Sequence, residues 1–283
     1  MNKIFKFYSE ASNVVSQYFV SLYGGFKNRR LFDDIKTCCL FIGYSNCGKT
    51  LIRSLLDAHP NIIMADRFSV LKYTYAGFSR NQICYLLLKS SQEFAKAGRI
   101  SKKGDSYKVA NQWQGRFKKL QVFGDDRGEG ATLRLQARPW LLNRLHKVTG
   151  VKVKFIHVVR NPYDKISDRF KRIDRDKRNL TESIEHYFSL YETGADIKSK
   201  IKSSDLFELR YESFVKSPKI YLKKLCHFVG VDAPNDYLHD CARIVFKHPR
   251  KSRYDVQWKQ ESIDIVKRRI DNFSFLQGYS YEN

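Results

Sequence analysis

The chain reads as an α/β protein of three layers, helices above and below a central parallel sheet. Short apolar runs rich in strand formers recur along it with helical stretches between them, the alternation that builds a parallel sheet covered on both faces. One of those runs leads directly into Gly43-Tyr44-Ser45-Asn46-Cys47-Gly48-Lys49-Thr50, and a helical pattern follows. Strand, glycine loop and helix in that order make the fold P-loop NTPase-like.

Residues 1–35 come first. Ile4, Phe5, Phe7, Tyr8, Val14, Val15, Tyr18, Phe19, Val20 and Leu22 are interrupted by polar residues, so neither a signal peptide nor a membrane-spanning helix fits. A helical extension that packs on the domain is expected, with peripheral membrane contact open as the alternative. From 36 to 283 no repeat, Pro-rich or low-complexity tract divides the chain, so one large domain is expected. Strands are expected at 37–42, 61–65, 119–124, 153–159 and 205–210. The helix after the loop places Ile52, Leu55 and Leu56 on one face. Residues 98–118 carry Gly98, Lys102, Lys103, Gly104 and Asp105 and read as a loop insertion in which Trp113 either borders the acceptor site or anchors the loop.

The composition narrows the function classes. Of 283 residues, 42% are hydrophobic and 14% aromatic, which supplies a core; 52 Lys and Arg against 29 Asp and Glu leave a formal charge of +23. Such a surface attracts polyanions. No helix-turn-helix, zinc spacing or aromatic RNA-binding motif accompanies the charge, which argues against a nucleic-acid partner. Six cysteines, with no C-x-x-C pair, read as reduced thiols of a cytoplasmic chain and not as a disulfide framework or zinc site. His157, inside an apolar run, and His59, before Pro60, read as packed residues.

The loop carries the chemistry. Backbone N–H groups between its glycines can converge on an anion at the helix N-terminus, where unpaired donors and the macrodipole favour negative charge. Lys49 adds a cation and Thr50 a hydroxyl. Taken alone, Gly43 to Thr50 satisfies the Walker A pattern, and Leu120 to Asp125 reads as an apolar strand ending in a magnesium-holding carboxylate. A kinase or NTPase using ATP and magnesium is therefore the rival function.

Three later segments point elsewhere. The run 153–159 enters Arg160-Asn161-Pro162-Tyr163-Asp164-Lys165-Ile166-Ser167; Tyr211-Glu212-Ser213-Phe214-Val215-Lys216-Ser217-Pro218 and Phe228-Val229-Gly230-Val231 follow. With Leu55-Leu56-Asp57-Ala58-His59-Pro60, the stretch Gln112 to Phe117 and the segment from Trp258 to Tyr279, these resemble a microbial-type branch of the nucleotide-dependent sulfotransferase superfamily, over about residues 37–280. The resemblance implies transfer of a sulfuryl group from 3′-phosphoadenosine 5′-phosphosulfate to a hydroxyl or amine, with no metal required. It implies that Asn46, Cys47, Gly48, Lys49, Thr50 and Leu51 line the 5′-phosphosulfate site and that Arg160 and Ser167 lie near the 3′-phosphate. An Arg at the carboxyl end of a parallel strand faces the crevice where such sheets bind ligands, and its planar fork suits a phosphate. Arg127 and Arg253 are further candidate anion contacts.

The sequence departs from the family at four places. Asn46 stands where many members have Lys or Arg; Asp168 stands eight residues after Arg160, where a hydroxyl is usual; Asp66, followed by Arg67, replaces a glutamate base; and Asp126 replaces a Lys. Lys49 is the expected substitute for the cation missing at Asn46. Asp66 is the first candidate base and Asp125 the second. The acceptor is unspecified, with an anionic glycan suited to the charge. A fold that has lost activity and only binds nucleotide or polyanion is the third reading.

Overall fold

The computed structural model describes residues 2–44, 47–66, 68–100, 104–173 and 179–283, with side chains described from residue 14 onward. Asn46 and Arg67 lie outside the described residues.

Five strands form one parallel sheet: β1 (Thr37–Ile42), β2 (Ile62–Ala65), β3 (Val122–Asp125), β4 (Lys152–Val159) and β5 (Leu206–Arg210), in the order β2-β3-β1-β4-β5. All five expected strands form. The third begins later than the pattern implied. Gln121 precedes the ladder, its carbonyl accepting from the amides of Lys36 and Thr37, while Asp125 joins the strand opposite Leu40 and Ala65. Period-two alternation in β1 feeds both faces of the sheet. Cys38, Leu40 and Ile42 enter one buried cluster; Cys39 and Phe41 enter the other.

Twelve helices are found among the described residues. The first is α1 (Asn2–Lys27); α2 (Lys49–Leu56) follows the loop, α3 (Val70–Tyr75) and α4 (Arg80–Lys96) follow β2, and α5 (Glu129–Ala137) and α6 (Trp140–Thr149) follow β3. Next come α7 (Pro162–Phe170) and α8 (Leu180–Ser199) after β4, then α9 (Tyr211–Lys216), α10 (Pro218–Val229), α11 (Asn235–Arg243) and α12 (Gln260–Ile270). Local chemistry sets several boundaries. Ser79 and Gln82 form a reciprocal capping box at α4, and Asn161 caps α7 ahead of Pro162, whose fixed φ suits a first helical turn.

The helix α1 lies along α4, with the Gln82 amide donating to the Tyr18 carbonyl and Tyr18 edge-on to Phe78. Its outer face leaves Phe19, Tyr23 and Phe26 exposed. No helix among the described residues is long and apolar enough to cross a membrane. All six cysteines are buried and unpaired with one another.

The last part of the stretch, 113–118, is pinned at the opposite end of the sheet from the glycine loop. Trp113 donates its backbone N–H to the Ala58 carbonyl at 3.0 Å and Lys118 donates to Pro60 at 2.7 Å, both beside the start of β2. Trp113 therefore does not border the loop: Arg116 and Lys118 cover its ring. Tyr107, earlier in the stretch, runs past α2, and its carbonyl accepts from the Gln114 amide that also holds Ser54.

Candidate functional site

Chain connections leave β1 toward β2 on one side and β4 toward β5 on the other, so the carboxyl ends of adjacent β1 and β4 form a switch point in the sheet. Open α/β sheets bind ligands in that crevice. The glycine loop leaves β1 there, and Arg160 leaves β4.

Two glycines of the loop hold left-handed backbone against rings. Gly43, at φ +92°, donates its N–H to the Thr132 hydroxyl of α5 at 2.9 Å, and a Cβ there would stand 2.4 Å from the His157 imidazole. Gly48, at φ +88°, caps the start of α2, and a Cβ there would stand 2.2 Å from the Tyr211 ring. Tyr211 in turn lies 5.7 Å beneath the Arg160 guanidinium, so one ring separates the loop from the strand-end arginine.

Within the loop, Cys47 is buried, and burial pushes its thiol pKa up. Gly48, Lys49 and Thr50 are partly exposed, whereas the Leu51 side chain belongs to the core. Lys49 does not fold back over the loop. Its Nζ donates to the Asp126 carbonyl at 3.2 Å, after the end of β3.

At the β4 end, Arg160 is 8% exposed and donates from one nitrogen to Asp168 at 3.2 Å and from another to the Arg250 carbonyl. Ser167 is one residue too early. It is fully buried, its hydroxyl accepting from the Trp258 indole N–H at 3.0 Å, and the helix rotation between residues 167 and 168 gives the Arg160 side to Asp168. Arg253 is committed as well. It is 1% exposed, paired to Asp164 at 2.9 Å through its guanidinium and at 3.0 Å through its backbone N–H, and it donates to the Asn283 carbonyl. Ser167 does not open onto the crevice beside Arg160, whereas Arg253 lines, with Asp164, Glu212, Lys247 and Lys251, a cavity of about 680 Å³.

The two candidate bases differ. Asp125 is 1% exposed, and its oxygens accept from the backbone N–H groups of Val70 at 2.6 Å and Arg127 at 2.9 Å. Burial holds its carboxyl up at about 7. It ties the start of α3 to the turn after β3, a task that occupies both oxygens. Asp66, at the end of β2, is partly exposed and pairs with Arg53 at 3.1 Å. It borders a cavity of about 410 Å³ whose lining also includes Gln17, Lys72, Tyr73, Lys89 and Arg127. Of these cations, Lys89 and Arg127 are exposed.

Two residues of the site carried no sequence signal. Arg53, inside α2, is fully buried, with Nε 3.5 Å from Asp126 and the guanidinium over the Phe94 ring at 4.9 Å. Lys165 of α7 is 1% exposed, its ammonium 5.2 Å from the Tyr44 ring centroid. Only its spacing from Arg160 could have flagged it.

The sequence matches the model of the sulfotransferase family over residues 40–235. The chain belongs to the sulfotransferase family. Among solved structures, sulfotransferase STF9 from Mycobacterium avium is similar over 94% of this chain and 84% of its own, at 11% identity and a TM-score of 0.50. The sulfotransferase domain from the curacin biosynthetic pathway is similar over 83% of this chain and 97% of its own, at 15% identity and a TM-score of 0.47. Mouse sulfotransferase SULT7A1, whose structure is a complex with PAP, is similar over 81% of this chain and 72% of its own, at 14% identity and a TM-score of 0.40. At these identities the likeness is one of fold. No curated protein matches the sequence. The α/β architecture is that of a sulfotransferase, and the glycine loop, Arg160 and Asp66 all lie at the carboxyl ends of strands in its parallel sheet.

Proposed function

We propose that this chain transfers the sulfuryl group of 3′-phosphoadenosine 5′-phosphosulfate to a hydroxyl or amine of an acceptor. The observation that carries the reading is the packing of Gly48, Tyr211 and Arg160 in sequence across the ends of β1 and β4. It sets an N–H-rich helix start beside a planar cation, the two features that a nucleotide with a phosphate at each end requires. The fit of the loop is supported by the left-handed glycine at the start of α2, where the backbone can approach an anion closely.

When bound, the co-substrate supplies an activated sulfuryl group on a good leaving phosphate. The N–H groups at the start of α2, with the Thr50 hydroxyl, hold the negative end of the nucleotide. Lys49 can swing from the Asp126 carbonyl to charge that develops on the bridging oxygen. Arg160 takes the 3′-phosphate by exchanging its bond to Asp168. Asp66, at the far side of β1 from Arg160, accepts the acceptor's proton while Arg53 orients it. The cations Lys72, Lys89 and Arg127 around the cavity beside Asp66 favour an anionic acceptor, such as an acidic glycan, and α1, which supplies Gln17 and Val20 to that lining, serves as the extension that walls it.

The rival kinase reading needs Asp125 free to hold magnesium, and both of its oxygens accept backbone N–H groups. Incubation with ³⁵S-labelled co-substrate and a panel of acidic and neutral glycans tests the proposal. Label transfer that is unaffected by a chelator supports it. Magnesium-dependent ATP turnover without label transfer overturns it.

A further inference from the structure

Lys165 is a buried lysine whose ammonium, among the described residues, has neither a hydrogen bond nor an ion-pair partner. Its ammonium meets the face of Tyr44 in the glycine loop at 5.2 Å. An ammonium removed from water with no bonded counter-charge is costly by several kcal/mol, and a cation–π contact offsets about 1–2 of that.

The charged and titratable groups that face it are those of the loop, of the β4 end and of α7 and its exit. The loop contributes Cys47, whose thiol is held neutral by burial; Asp168 is the facing carboxylate, and Arg160 and Arg172 face it as like charges. Asp168 already bonds Arg160. Three cations and one carboxylate thus leave an excess of positive charge around Lys165. Lys49, the loop's own lysine, is engaged with the Asp126 carbonyl.

We propose that the Lys165 ammonium is a binding group for the anionic end of the nucleotide, reaching the loop from α7 and supplying the counter-charge that Lys49 does not supply while it bonds Asp126. That the anion is a phosphosulfate rests on the function proposed above; that Lys165 meets an anion there rests on its burial, its lack of a partner and its contact with the loop. Free Lys165 is pushed down to about 8, chiefly by burial. An anion in the loop favours its charged form, so binding takes up a proton near and above that pH.

Calorimetry with adenosine 3′,5′-bisphosphate from pH 7 to 9.5, in buffers of different ionisation heat, reads this directly. The wild type is expected to take up about half a proton per nucleotide at pH 8, and above that pH its affinity falls by up to about tenfold per unit. Lys165→Met, close to lysine in shape, is expected to bind roughly 10- to 100-fold more weakly at pH 7 and to lose the proton uptake. It should melt no lower than wild type, because an uncompensated buried charge is gone. Lys165→Arg keeps the charge and should retain part of the affinity without the pH dependence.

Proton uptake that persists in Lys165→Met, or equal affinity of that variant and wild type, overturns the inference and leaves the proposed function standing. If the wild type ignores the bisphosphate yet binds inorganic pyrophosphate with proton uptake that Lys165→Met abolishes, the anion role of Lys165 is upheld and the phosphosulfate reading falls.

Discussion

Replacing Gly48 by alanine perturbs the point where the loop, Tyr211 and Arg160 meet. The backbone there has φ +88°, a region that costs an L-residue about 1–2 kcal/mol. The new methyl would stand 2.2 Å from a ring carbon of Tyr211, which is 8% exposed and has little room to withdraw. Forced repacking of this kind adds about 1–3 kcal/mol, so Gly48→Ala is expected to lose roughly 2–5 kcal/mol in all. Urea unfolding followed by circular dichroism should show a lower midpoint at unchanged slope. Tyr211→Ala removes the obstacle. In the double variant the clash term disappears while the backbone term stays, giving a coupling of about 1–3 kcal/mol in the direction of rescue. A Gly48→Ala variant within 0.5 kcal/mol of wild type, on the roughly neutral scale of ordinary surface changes, would refute the packing argument. Strict additivity with Tyr211→Ala would do the same.

Other outcomes follow from the same geometry. Asp125, held up at about 7 in the folded chain and near 4 when unfolded, binds a proton in the native state across that window. Its contribution to stability is therefore present below about pH 4 and lost as pH rises through about 7, on the order of 4 kcal/mol in all. Subtracting the pH–stability curve of Asp125→Asn from that of wild type should isolate this fall from the buried His59 and His157, whose depressed pKa values act oppositely. A flat difference curve would contradict it. Asp66→Asn should lower the transfer rate by roughly 10²–10⁴ while nucleotide affinity holds; a loss of affinity alone would remove Asp66 from the chemistry. Asp168→Ser, by freeing Arg160, is expected to tighten adenosine 3′,5′-bisphosphate binding by about tenfold, the scale of one charge-assisted bond. Ser167→Ala, by contrast, should leave that affinity alone and cost about 1 kcal/mol of stability; weaker nucleotide binding in Ser167→Ala would restore Ser167 to the site.

The sheet was legible because its signals are local. The apolar run Thr37–Ile42, the glycines on either side of Cys47, and Asn161-Pro162 after an apolar run each fix an element from within a few residues. Arg160 was legible for the same reason, since the end of a strand sets where its next side chain faces. The bonds that Ser167 and Arg253 make were not legible, because their partners are remote in sequence: Trp258 lies 91 residues from Ser167 and Asp164 lies 89 from Arg253. Asp125 looked like a reactive carboxylate because nothing near it in sequence shows that the Val70 N–H, 55 residues away, reaches it. Arg53 and Lys165 were illegible on physical grounds. A charged residue in a helical stretch is normally solvated, and only the packed structure shows that each is closed off from water.

On the function proposed above, the crevice between the loop and Arg160 holds a nucleotide with a phosphate at each end. Calorimetric titration of wild type and Arg160→Ala with adenosine 3′,5′-bisphosphate and with adenosine 5′-monophosphate tests it most directly. The wild type should favour the bisphosphate by at least about tenfold, a preference that one charge-assisted contact sustains, and Arg160→Ala should erase it. Equal affinity of wild type for the two nucleotides, or a preference that survives in Arg160→Ala, would contradict the account.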